Sequence, residues 1–147
     1  MGTNVGMDPL TAQPPIRSRV DAMDAWELAF DPDGTGSRRG WMSGNWPAER
    51  AVEPQVPGLW NLSHPDYAGA GWYRTVVNLP DDWAGRPVRL HIGGSSYRSE
   101  AWLNGRFLGS HEGAYTAFWF DATTAARLGE PNELVLRVTS LSLTRTV

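Results

Sequence analysis

At 147 residues the chain is long enough to enclose a real hydrophobic core and too short for a second domain of ordinary size. Thirteen Lys and Arg against 16 Asp and Glu leave a net charge of −3 with no basic stripe, which excludes nucleic acid as an expected partner. Cysteine is absent, which removes disulfide frameworks, thiolate catalysis and cysteine-ligated zinc, while eight tryptophans fit either a β-sandwich core or the stacking of sugar rings.

Residues 1–23 are rich in Pro, Gly, Thr and Asp without apolar periodicity and predict a mobile lead-in. They lack the charged start and apolar run of a secretory signal, and no later run could span a bilayer, so the expectation is a cytoplasmic protein with no membrane partner. A domain is expected over 24–147. Its first strand is "AWELAF", with Trp26, Leu28 and Phe30 on one face, closed by the turn-forming "DPDGTG". From Gly40 to Pro57 the Pro and Gly interruptions predict irregular chain pinned by Trp41 and Trp46. "GWYRTVVNLP" alternates with Tyr73, Thr75, Val77 and Leu79 on one side and Trp72, Arg74 and Val76 on the other, and "DDWAG" turns the chain. "PVRLHIGG" carries Val88, Leu90 and Ile92 inward with Arg89 and His91 outward. "SYRSEAWLNGRFLG" reads as two strands joined at Asn104-Gly105, because a type I′ turn needs positive φ at both central residues. "ATTAARL" allows at most two helical turns, capped by Asp121 or Thr123, and "ELVLRV" puts Leu134, Leu136 and Val138 on one face. About seven short strands with turn signals between them and no long helix describe an all-β sandwich or jelly roll.

Five segments in this order, "VPGLW" at 56–60, "DYAGAGWYR" at 66–74, "LPDDWAGRPVRLHIGG" at 79–94, "AWLNGRFLGSHEGAYTAFWFDAT" at 101–123 and "GEPNELVLRV" at 129–138, carry a resemblance to a known family. The chain resembles the N-terminal, sugar-binding domain of the family 2 glycoside hydrolases, which include β-galactosidases, β-glucuronidases and β-mannosidases. The resemblance implies a jelly-roll β-sandwich of the galactose-binding-domain type. It also implies, as partners within a longer protein, a second sandwich and a catalytic (β/α)₈ barrel whose two glutamates perform retaining hydrolysis of O-glycosides. Such hydrolysis needs two carboxyls about 5 Å apart, one with a raised pKa. The barrel that carries them lies outside these residues, so the chain alone is expected to be inactive. The family's domain continues past the "LVLRV" strand into a closing strand, where this sequence reads "TSLSLTRTV". The expectation is therefore a domain truncated at its C-terminus, with Leu134, Leu136 and Val138 partly uncovered beside an open sheet edge that invites self-association.

The candidate substrate-binding residues are Trp60, Asp66, Tyr67, His111 and Glu112. Trp60 follows "VPG" in a loop, where a ligand or another domain can reach it. Asp66 and Tyr67 precede "GWYR", and the resemblance implies that their segment approaches the barrel's active site. His111 and Glu112 suggest an acid/base pair, but neighbours in an extended segment point to opposite faces, so the pair is at best a contact to sugar or to a neighbouring domain. No catalytic residue, metal ligand or cofactor is assigned. "DPDGTGS" opens like a calcium loop, yet Met42 stands where its bidentate Glu belongs, and His64, His91 and His111 lack metal-ligand spacing. Three readings stay open: a scaffold domain of a family 2 glycosidase with weak affinity for carbohydrate, a free-standing carbohydrate-binding module with an exposed aromatic platform, and a non-catalytic interaction domain.

Overall fold

The structure, a computed structural model, describes residues 18–22, 25–54, 69–93, 98–113 and 117–139, together with the backbone of residues 5–9. Among the described residues nine strands form two antiparallel sheets. The strands are β1 (Val5–Pro9), β2 (Val20–Asp21), β3 (Glu27–Asp31), β4 (Ala70–Asn78), β5 (Val88–Ile92), β6 (Arg98–Leu103), β7 (Arg106–Glu112), β8 (Phe118–Asp121) and β9 (Pro131–Thr139). One sheet has the order β2-β1-β5-β8 and the other β3-β4-β9-β6-β7.

Period-2 alternation decides what lies between the sheets. Val88, Leu90 and Ile92 of β5 turn inward, with Phe118 and Phe120 of β8 packed beside them, and meet Val77, Ala101, Leu103, Leu134 and Leu136 of the larger sheet. Burying each of these large aliphatic side chains contributes about 1.5–3 kcal/mol. Short loops close the strands as their residues require. Asn104 and Gly105 both adopt positive φ, 52° and 79°, and join β6 to β7 in the predicted type I′ manner. "DDWAG" forms a 3₁₀ turn over Asp81–Trp83 that drops Trp83 into the core.

A second apolar cluster lies on the outer face of the larger sheet, where Ala29, Trp72, Trp102 and Val135 are covered by Trp41 from the irregular segment after β3. Trp72 stacks on Trp102 at 5.3 Å between ring centroids and meets Trp41 edge-on at 5.8 Å. Asp31 holds this segment down: its buried carboxylate accepts hydrogen bonds from the backbone N–H groups of Thr35 and Gly36 and from the Trp72 indole. Gly36 is required by close approach, since a Cβ there would sit 2.6 Å from the Trp41 ring. Five of the eight tryptophans, Trp26, Trp41, Trp72, Trp83 and Trp102, are buried, so most of the excess serves packing.

Two expectations change. Residues 1–23 contain β1 and β2: β1 pairs with β5 from Val5↔Ile92 to Pro9↔Val88, a pairing that turn-rich composition conceals because its partner is some eighty positions away in sequence. "ATTAARL" keeps within its expected limit, forming a single turn in which the Ala126 N–H donates to the Ala122 carbonyl and the Asp121 carboxylate accepts from the Thr123 N–H and hydroxyl as a cap. The β9 strand is no open edge. It lies between β4 and β6, paired along both sides, and Leu134, Leu136 and Val138 are buried.

Candidate carbohydrate-binding surface

One end of the sandwich gathers strand termini from both sheets. Across the larger sheet the register lines up Asp31, Ala70, Thr139, Arg98 and Glu112 in one row, and in the smaller sheet Val5, Ile92 and Phe118. At this end β4, β6 and β8 begin and β5 and β7 stop. Of the sequence-predicted site residues, Trp60, Asp66 and Tyr67 lie outside the described residues.

The structure describes His111 and Glu112, and it separates them. His111 is half-buried with its ring stacked on Phe118, 4.0 Å between centroids and 13° from parallel, and its Nε2 is buried without a hydrogen-bond partner among the described residues. Glu112 is exposed and pairs with Arg98 at 2.7 Å on the other face of β7. The alternation of the strand thus sets the two on opposite sides, and no single substrate proton lies between them.

Glu112 ends a polar ladder across the outer face of the larger sheet. Arg98 lies between Glu112 and Glu100, at 2.7 and 3.7 Å. Glu100, itself buried, accepts from Arg137, whose guanidinium rests 5.3 Å from the centre of the Trp72 ring, and the Trp72 indole N–H reaches Asp31 at 3.0 Å. Further along the same face Arg74 bridges Glu27 and Glu133. These carboxylates are held as charge partners of arginines, which is structural work. No cluster of three or more His, Asp or Glu able to hold a metal ion occurs among the described residues, and both oxygens of Asp31 in the calcium-like motif are taken by N–H donors.

Trp119 is absent from the candidate residues read from the sequence. Phe118 and Phe120 do pack inward, but Trp119 between them faces out from the smaller sheet and is 49% exposed. The Arg89 guanidinium lies 4.9 Å from its ring centre, with His91 directly opposite in register. The signal that would have found it is the same alternation applied one strand further. No helix among the described residues is long and apolar enough to cross a membrane.

Residues 61–145, more than half of the chain, match the sugar binding domain of glycosyl hydrolases family 2, and the chain belongs to that family as this domain. Among relatives, a β-galactosidase of Thermoanaerobacter pseudethanolicus is 33% identical over 70 residues, covering 48% of this chain and 9% of its own length. A β-glucuronidase of Bacteroides fragilis is 26% identical over 114 residues, covering 76% of this chain and 15% of its own. Among solved structures, the β-glucuronidase from Ruminococcus gnavus in complex with uronic deoxynojirimycin superposes with a TM-score of 0.79 at 27% identity, covering 89% of this chain and 23% of that one. The chain therefore spans less than a quarter of the length of each of these proteins.

Proposed function

We propose that this domain positions substrate and braces the catalytic (β/α)₈ barrel and second sandwich of a family 2 glycosidase acting on O-glycosides, and performs no bond cleavage itself. The observation that carries this reading is the end of the sandwich where the strand termini converge. β4, β6 and β8 begin there and β5 and β7 end there, and the described acid and base candidates at that end are turned apart. Loops on a rigid sandwich suit contact with a substrate held elsewhere. Purified chain is expected to show no turnover of aryl β-galactosides, β-glucuronides or β-mannosides. Turnover that survives repurification and vanishes in Glu112→Gln overturns the reading, as does a reading frame in which no barrel with two catalytic glutamates accompanies the domain.

Affinity for a simple sugar is expected to be weak, about millimolar, because stacking one ring on one aromatic gains little after immobilisation. A second reading, the free-standing carbohydrate-binding module, is favoured by the exposed Trp119 beside Arg89 and His91. Calorimetric titration of Trp60→Ala and Trp119→Ala separates the two. Near-micromolar binding lost only with Trp119 selects the module. Cytoplasmic location and self-association belong to the same proposal, and cell fractionation and light scattering test them.

A further inference from the structure

A sheet edge leaves a row of backbone N–H and C=O groups without ladder partners, and the edges of this sandwich are guarded unequally. At the β3 edge, Leu28 and Val52 exchange N–H to carbonyl bonds of 2.8 Å in both directions. The β2 edge is two residues long. β7 carries a bulge: Gly109 lies opposite Ala101 and Phe107 opposite Trp102, so Leu108 has no counterpart, and an edge made irregular in this way resists pairing. β8 is a regular four-residue edge, paired with β5 from Arg89↔Asp121 to Ile92↔Phe118 and with no strand on its other side among the described residues.

β7 and β8 lie one above the other along the same side of the sandwich. The His111 ring stacks on Phe118, and Gly109 approaches Phe120 so closely that a Cβ there would sit 2.8 Å from its ring. Four large apolar side chains are exposed among the described residues, and two of them, Phe107 and Trp119, belong to these two strands. Phe107 rests against Trp102 on the outer face of the larger sheet, and Trp119 faces out from the smaller one. β7 also carries opposite charges at its two ends, Arg106 at the start and Glu112 at the finish, both exposed. Arg106 donates to the Thr124 carbonyl and makes no ion pair among the described residues.

We propose, resting on the self-association put forward above, that this side of the sandwich is an interface for a second copy of the chain. A two-fold axis perpendicular to the sheets pairs β8 antiparallel with β8 of the second copy and continues the smaller sheet across the axis. Residues opposite one another in an antiparallel pair face the same way, so a register centred on Trp119 sets the two Trp119 rings against each other outside and Phe118 against Phe120 of the second copy inside. The same axis brings Arg106 of each copy beside Glu112 of the other, because reversing β7 end for end exchanges its charges. The second copy supplies by symmetry an apolar and charged pattern that any other strand would have to match residue by residue.

Sedimentation velocity of the purified chain over about 1–500 μM tests the interface, with the dimer expected to dominate by about 100 μM. Trp119→Lys places a charge on the exposed edge and is expected to raise the dissociation constant about tenfold or more without lowering the melting temperature. Arg106→Glu and Glu112→Arg each set like charges together, so each variant is expected to stay monomeric where the native chain dimerises. An equimolar mixture of the two is expected to dimerise again, since every mixed pair restores both contacts. A chain monomeric over the whole range overturns this interface together with self-association. A dimer indifferent to Trp119→Lys, or charge variants that fail to rescue each other, rejects the interface while self-association and the role of the domain in a glycosidase stand.

Discussion

Asn104 Nδ2 donates a hydrogen bond to Oδ1 of Asn132 at 2.8 Å, linking the β6–β7 turn to the start of β9. Asn104 also donates to the Ala125 carbonyl and accepts from the Glu133 N–H. Asn132, fully buried, accepts from the Arg127 N–H and donates to the carbonyls of Arg127 and Glu130. Two side-chain amides thus satisfy the backbone of the 122–130 connection where no strand could. Asn132→Ala leaves these groups unpaired and is expected to cost about 2–4 kcal/mol, or roughly 10 °C of melting temperature. Asn104→Gly keeps the positive φ of the turn and loses only the side-chain bonds. The double variant is expected to lose less than the sum of the single ones by about 1 kcal/mol, and strict additivity in thermal melts would show that the two amides act independently.

Asp31→Ala removes the acceptor for the Thr35 and Gly36 N–H groups and for the Trp72 indole. The expected loss is about 3 kcal/mol, with quenched or shifted emission from the Trp41–Trp72–Trp102 cluster as that cover loosens. Millimolar calcium is expected to leave the melting temperature of the native chain unchanged, because binding it there would compete with those donors. A rise of several degrees would reinstate the calcium loop.

Hydrogen bonds from the Thr123 hydroxyl and then from its N–H hold the Asp121 carboxyl below its ordinary value of 3.8. A folded-state pKa below the unfolded one stabilises fully above the unfolded value, and that stability is lost as pH falls through the folded one. The advantage of the native chain over Asp121→Asn is therefore expected at about pH 6 and should narrow by about pH 3. The effect is small, since Asp121 is exposed and screened. An advantage of equal size at both pH values would assign it to something other than this carboxylate.

Leu134 is fully buried on a strand paired along both sides. Leu134→Ala is expected to cost about 2–5 kcal/mol through lost burial and the cavity left behind. Val76→Thr, on an exposed position of β4, should change stability by less than about 0.5 kcal/mol. Chemical denaturation checks both, and a Leu134→Ala cost as small as that of Val76→Thr would mean that β9 is not held as a central strand.

The sequence by itself determined the local grammar: the all-β class, the inward set of β5, the Asn104-Gly105 hairpin and the opposed directions of His111 and Glu112. Each follows from period-2 alternation or from the φ values a turn demands, and both are properties of neighbouring residues. Only tertiary structure decided which strands became neighbours. It gave β1 to β5 across a long separation, placed β9 between β4 and β6, and turned Trp119 to the surface while Trp41, Trp72 and Trp102 closed a second core. Pairing partners, and the solvent or protein that meets each face, depend on contacts between segments far apart in the chain, so an indole bound for a core and one bound for a surface look alike until those contacts form.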